Sequence, residues 1–299
     1  MGHFVIVTFL RERWLHRLQA QSFGKFLRSN EDVKIHVVVN EYEDEAFNEF
    51  CQFFEDEIRP QFGVHSERVE VYSGNEIAPK ARLIRGYDRQ QVLKVRFVAS
   101  LPCEWAIVLD SKNILIRPIS WFDFFDAEQK PKAPFEDMKN HMFGKLVSKY
   151  YTLFGGIQDV KDSIFLATMT PFPMSPQYCM DMIEFLEKRT HSSFEAQFEK
   201  ESAFKSEFLM YAAYLKDKVG PLENIYKNSP PLSWTVWPNH YIGHDALRNG
   251  LSRASENGKT MVGLHLRRVQ QMSHEEIASC TNFFRSIGLL DANEKLQLQ

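Results

Sequence analysis

Short apolar runs alternating with charged, periodic segments constrain this chain more than any other feature. Phe4–Phe9, Lys34–Asn40, Arg68–Tyr72 and Trp105–Leu109 read as strands, and Arg11–Arg28, Asp44–Phe62 and Asp88–Leu101 between them read as helices. Within Asp44–Phe62, Phe47, Phe50, Cys51, Phe54 and Ile58 recur at three- and four-residue steps and mark one apolar face. Strands apolar on both sides, separated by helices, predict an α/β fold: a mostly parallel central sheet with helices on both faces. Ligands of such sheets bind beyond the carboxyl ends of the strands. Thr8, Asn40 and Asp110 fall at or near those ends, so one crevice is expected to gather them.

The second half is less regular. Phe143–Tyr151 and Ser163–Thr168 read as further strands, and Thr260–Leu266 as a late one. Ser175-Pro176 is a helix start, with Gln177–Lys188 turning Met180, Ile183 and Leu186 inward. Glu207–Lys216 and Glu275–Ile287 read as helices, and Asn228–Leu232 as a loop. No repeat and no glycine-rich phosphate loop is present.

Composition narrows the function classes. With 299 residues and 44% apolar composition the chain can bury a substantial core, and it is expected to form a single domain of two halves, 1–118 and 119–299. A formal net charge of -3 gives no sign of a nucleic-acid-binding surface. Cys51, Cys103, Cys179 and Cys280 are scattered, with neither metal-ligand nor disulfide spacing, and fit a reducing compartment. The first apolar run is too short to span a bilayer and lacks a signal-peptide cleavage site. These features predict a soluble, cytoplasmic protein with no membrane span.

Several short motifs then fall in a telling order. They are Gln90-Gln91-Val-Leu-Lys94, Leu109-Asp110-Ser111-Lys112-Asn113, Arg117-Pro118, Thr170-Pro171 and Ser206-Glu207-Phe208-Leu209-Met210-Tyr211. Their order and spacing resemble a bacterial family of type-A (GT-A fold) glycosyltransferase-like proteins, over roughly residues 4–268. The resemblance implies a Rossmann-like nucleotide-binding half followed by an acceptor-binding half. It implies a glycosyltransferase that moves a sugar from a nucleotide-activated donor to a hydroxyl of a saccharide or glycolipid acceptor, in bacterial surface-polysaccharide synthesis. The alternatives are a non-catalytic nucleotide- or sugar-binding module, or a nucleotidyltransferase on a related fold.

In the usual type-A motif an Asp-X-Asp pair holds a metal-bound nucleotide-sugar. Here Lys112 stands where the second acid would be, so the cofactor is either a divalent metal (manganese or magnesium) or none. A charged lysine cannot ligate a metal. Asp110 is expected to keep a donor-binding role, while Lys112 either contacts phosphate or points away. The plainer reading is a turn cap at Asp110 and a solvated Lys112. If a metal binds, Asp110, Asn113 and His265 are its expected ligands. Thr8, Asn40, Gln91, Lys94, Asp110, Lys112 and Arg267 are the expected donor-binding residues. Gln91 and Lys94 share a helical face, though that face is equally an ordinary exposed one. Arg267 and Arg268 offer guanidinium forks suited to phosphate.

Glu207 and Asp110 are the expected catalytic acids. An inverting transferase needs a base to take the acceptor's proton, and Glu207 opens a helix that Ser206 would cap. An acid in a helix's first turn also suits the dipole without any catalytic role. Tyr211 would share the face of Glu207, and Tyr211, Trp234 and Trp237 are the expected acceptor-binding residues, although core packing is the more common use of aromatic side chains. His240 and His244 have helix-like spacing, without the intervening acid or third ligand of a zinc site.

Overall fold

The computed structural model describes residues 1–82, 84, 86–139, 141–156, 164–199, 205–294 and 296. Its central sheet contains β1 (Gly2–Thr8), β2 (Val33–Val39), β3 (Val69–Ser73) and β4 (Ala106–Asp110), all parallel, in the order β3-β2-β1-β4. The segment between β4 and the next strand is only Ser111-Lys112. It leads into β5 (Asn113–Leu115), which leaves the central sheet for a second one. β6 (Phe172–Met174) closes the central sheet beside β4, antiparallel to it. β7 (Ser233–Val236) and β8 (Met261–Leu264) pair in parallel, and β8 pairs antiparallel with β5. The expected halves therefore interleave: β6 joins the first sheet, and β5 joins the second.

The period-two alternation of the strands sorts side chains onto two cores. Phe4, Ile6, Ile35, Val37, Ile107 and Leu109 face one core, while Val5, Val7, Val38, Ala106 and Val108 face the other. Helix α1 (Arg13–Phe26) covers the first core with Leu15, Leu18 and Phe23, and α2 (Asp44–Phe53) adds Phe50. Helix α3 (Gly86–Ala99) covers the second with Val92, Val95 and Val98. Each fully buried apolar side chain contributes roughly 1.5–3 kcal/mol, so burial on both faces fixes the strand register. Among the described residues, no helix is long and apolar enough to cross a membrane.

Three expectations change here. Phe143–Tyr151 is not a strand: Phe143 precedes a helix, α4 (Gly144–Phe154), that takes in the rest. Val147, Tyr150 and Phe154 are buried at three- and four-residue spacing, and Gly155 ends the helix at φ 92, where a side chain would be strained. Asp44–Phe62 is not one helix. The α-helix ends at Phe53, a π-turn spans Phe54–Ile58, and Pro60 sits in the first turn of a 3-10 segment, Arg59–Arg68, kinked at Gly63. Helix α5 (Pro176–Thr190) buries Ile183 and Leu186 as expected, but Met180 faces solvent, and Cys179 and Met182 pack inward instead. Of Ser163–Thr168, Ile164–Leu166 is a strand and Ser163 lies outside the described residues.

His16 on α1 is completely buried against Phe50, Phe54 and Phe62. Its Nδ1 lies 2.9 Å from Gln19 Oε1, which assigns the proton to Nδ1. Burial lowers its pKa to about 4, against the upward pull of that hydrogen bond. The unfolded chain binds the proton near pH 6.5, so His16 favours the fold fully above that pH and progressively less as pH falls toward 4. Urea unfolding of the wild type should lose stability across this window. His16→Leu should show a shallower slope, the difference amounting to on the order of 2–3 kcal/mol. Equal slopes would show that His16 does not titrate this way.

Candidate active site

The sheet register carries the site. Thr8 pairs with Val39, the residue before Asn40, and Val7 pairs with Asp110. Thr8, Asn40 and Asp110 thus stand together at the carboxyl edge of the sheet. Thr8 is fully buried, and its hydroxyl has no hydrogen-bond partner among the described residues.

The backbone of Asp110 is held on both sides. Its N–H donates to Asn113 Oδ1 at 2.8 Å, and its carbonyl accepts from Gln19 Nε2 at 2.8 Å. Two residues on, Leu264 N–H donates to the Lys112 carbonyl at 3.1 Å, tying the turn to β8. The side chain of Asp110 meets two ammonium groups. Lys94 Nζ lies 2.8 Å from Oδ1, and Lys112 Nζ donates to Oδ2. Gln90 Nε2 adds a bond to Oδ1 at 3.2 Å. Burial alone would raise the Asp110 carboxyl, but Lys112 and Lys94 outweigh it and hold the group well below the usual carboxylate range.

Lys94 is shared. Its Nζ lies 3.0 Å from Glu207 Oε1, and 4.9 Å from the centre of the Phe208 ring. Burial opposes its charge, while Asp110 and Glu207 together raise its pKa above the ordinary lysine value. Glu207 opens α6 (Glu207–Tyr214), capped by the Ser206 hydroxyl, which accepts from Leu209 N–H at 3.3 Å. Gln91 Oε1 accepts the Glu207 N–H at 3.0 Å, leaving Gln91 Nε2 buried and without a hydrogen-bond partner among the described residues.

The second sheet supplies the opposite wall. Val236 pairs with Leu264, so Trp237 and His265 emerge side by side, their rings 5.5 Å apart. Lys112 Nζ lies 5.4 Å from the Trp237 ring. His265 caps a short helix, Leu266–Val269, by accepting the Arg267 N–H at 3.2 Å. Burial, with Lys112 and Arg267 adding to it, lowers its pKa to about 4 and keeps the ring neutral at pH 7. Arg267 is exposed just beyond.

A family model described as "Family of unknown function (DUF6492)" matches residues 13–236. The chain belongs to this family. None of the curated proteins matches it in sequence. Among solved structures it is similar to the bifunctional glycosyltransferase WbbM in its apo form, with a TM-score of 0.53 and 10% identity over 96% of this chain and 49% of that one. The chain thus spans about half the length of WbbM. It is also similar to the galactosyltransferase LgtC in complex with donor and acceptor sugar analogues, with a TM-score of 0.50 and 10% identity over 98% of this chain and 97% of that one. The mostly parallel α/β architecture is the type-A glycosyltransferase fold.

Several expected residues stand elsewhere. Tyr211 is fully buried, and its hydroxyl accepts from Ser175 N–H at 3.0 Å and lies 3.3 Å from that of Tyr226, so it packs the core rather than an acceptor. Trp234 is half-buried over Gly250, with its Nε1 bonded to Tyr241 at 3.2 Å, whereas Trp237 is exposed at the mouth. Arg268 is buried in an ion pair with Glu276 and is not a phosphate fork. His240 and His244 share no helix, since the helix that contains His244 begins there. Asp110, Asn113 and His265 do not suit a resident divalent cation. Both Asp110 oxygens face ammonium groups, Asn113 Oδ1 serves the turn, and His265 Nδ1 serves its helix. Among the described residues, no group of three or more His, Cys, Asp or Glu is placed to hold a metal.

Two residues of the site escaped sequence reasoning. Glu12 accepts from the Ser111 hydroxyl at 2.5 Å, and burial, with Asp110 adding to it, raises its pKa against that bond. Arg89 is fully buried and bonds the Asn40 and Asn75 side-chain oxygens and the Glu41 carbonyl, at 3.2, 2.6 and 2.9 Å. It ties together the ends of β2 and β3. The position of Glu12 just past the first strand was a usable signal; the partners of Arg89 are too distant in sequence to have offered one.

Removing Lys94 takes a shared cation from two buried carboxylates, leaving Glu207 without that ion pair and Asp110 with Lys112 alone. Lys94→Met should destabilise the fold by roughly 3–5 kcal/mol. Adding Glu207→Gln should recover part of the loss, because one stranded charge is removed with it. Urea midpoints of the two variants test this; a loss below about 1 kcal/mol in the single variant would contradict a buried, shared cation.

Proposed function

We propose that this chain is a nucleotide-sugar-dependent glycosyltransferase whose acceptor is a hydroxyl of a saccharide or glycolipid, acting in surface-polysaccharide synthesis. The observation that carries the reading is the Lys94–Asp110–Lys112 cluster at the carboxyl edge of a type-A sheet, with Glu207 on the same lysine. The printed descriptions of the similar structures, a bifunctional glycosyltransferase and a galactosyltransferase holding donor and acceptor sugar analogues, support the reaction class. Residues 1–118 supply the donor side, with Thr8, Asn40, Gln91, Lys94, Asp110 and Lys112. The remainder supplies the acceptor side, with Trp237 as a stacking surface.

In the step proposed, the acceptor oxygen bonds to the anomeric carbon as the bond from that carbon to the donor phosphate breaks. The electron pair of the broken bond stays on the phosphate oxygen. The acceptor's proton passes to the Glu207 carboxylate. Fixed positive charge beside the leaving oxygen lowers the barrier, because it acts where charge develops.

The test is incubation with a panel of UDP-, GDP-, CMP- and dTDP-sugars while following free nucleotide. Slow release from one class of donor is expected, accelerated by a saccharide acceptor. Binding without release would make the chain a binding module. Neither binding nor release from any donor would end the reading. With the active donor, Glu207→Gln should lower kcat by roughly 100-fold or more and leave donor affinity within about twofold, as for loss of a general base. An unchanged kcat would remove Glu207 from the chemistry.

A further inference from the structure

We propose that the Lys112 ammonium, in place of a divalent cation, is the counter-charge for the donor's diphosphate, so that nucleotide binds this site without metal. This rests on the transferase reading above and specifies how its donor is held. The two lysines on Asp110 are not equivalent. Lys94 is 6% exposed and already lies against a second acid, Glu207. Lys112 is 17% exposed, has Asp110 as its ion-pair partner, and stands 5.4 Å from the exposed Trp237 ring at the mouth of the crevice. A diphosphate settling over the strand ends therefore meets Lys112 first.

Asp110 does not depend on Lys112 alone. When Lys112 leaves Asp110 for a phosphate, Lys94 and Gln90 remain on the carboxylate, so no buried charge is left alone. A divalent cation has no such entry. It would have to displace an ammonium from Asp110 and then sit a few ångströms from two positive groups, and like charges at that range repel strongly away from bulk water. The neighbouring oxygen of Asn113 already receives the Asp110 N–H at 2.8 Å, and surrendering it would undo the turn that aims both residues.

Calorimetric titration with UDP, GDP, ADP, CDP and dTDP tests this, with manganese and with EDTA, on the wild type, Lys112→Ala and Lys112→Asp. At least one diphosphate should bind the wild type with affinities within about twofold in manganese and in EDTA. Lys112→Ala should weaken that binding roughly tenfold to a hundredfold, as for one charge-assisted contact. Lys112→Asp places a second carboxylate two residues from Asp110 and should bind the diphosphate only with manganese. Melting temperatures establish that the variants fold. Should the alanine variant not fold, Lys112→Gln replaces it. Wild-type binding that requires manganese, or undiminished affinity in Lys112→Ala with EDTA, would overturn the inference and leave the transferase reading standing. Binding of no diphosphate under either condition would overturn the inference, and the donor-release panel then decides the transferase reading.

Discussion

The Asp110 carboxylate, fixed between two ammonium groups at the carboxyl edge of the sheet, is the interaction around which the site is arranged. A lone carboxylate there would be driven toward its neutral form by burial. Lys94 and Lys112 reverse that and keep it charged. Its backbone is positioned independently of those charges. Asn113 takes the N–H, Gln19 donates to the carbonyl, and His16 locks the Gln19 amide from within the aromatic core. The position of the acid is therefore set by packing, and its charge by its neighbours. Buried ion pairs add little net stability once desolvation is counted, but breaking one is costly, so this cluster fixes geometry more than it deepens the fold.

The turn after Asp110 is also where two sheets meet. β4 ends there and β5 begins three residues later in the other sheet, held to β8 by the bond from Leu264 to Lys112. Because β7 and β8 run parallel in register, the residues that follow them, Trp237 and His265, arrive together at this turn. Gly263 lies in that register opposite Thr235, where a Cβ would come within 2.5 Å of the threonine hydroxyl. The mouth of the crevice thus depends on the second sheet, while its floor depends on the first.

How much of this was legible varies with range. The four parallel strands could be read because apolar runs buried on both faces leave a local signal, and Asp110 does end the fourth. Thr8 and Asn40 could be placed because strand ends in a parallel sheet share an edge. The bond from Lys94 to Glu207 could not, because it joins the middle of one helix to the start of another and depends on how the two are rotated. Periodicity gives the face of a helix but not what lies opposite, which is why Tyr211, one turn past Glu207, was expected beside an acceptor and instead packs against Tyr226. The helix over 144–154 was misread for another reason: its aromatic and β-branched residues suit a strand locally, and burial at helical spacing overrode that preference.

The two lysines illustrate a division of labour that composition alone would hide. Both are cations on the same carboxylate, yet they answer to different constraints. Lys94 is enclosed by Asp110, Glu207 and the Phe208 ring, so its removal would leave Glu207 without that ion pair and Asp110 with Lys112 alone. Lys112 sits on a two-residue turn, its carbonyl tied to β8 and its side chain reaching back across the turn. The first is therefore enclosed by its partners, while the second stands nearer the surface. A chain with only one of them would have to choose between an ionised, well-placed Asp110 and an available cation. Carrying both keeps the carboxylate ionised and fixed while the more exposed cation stands beside the Trp237 ring.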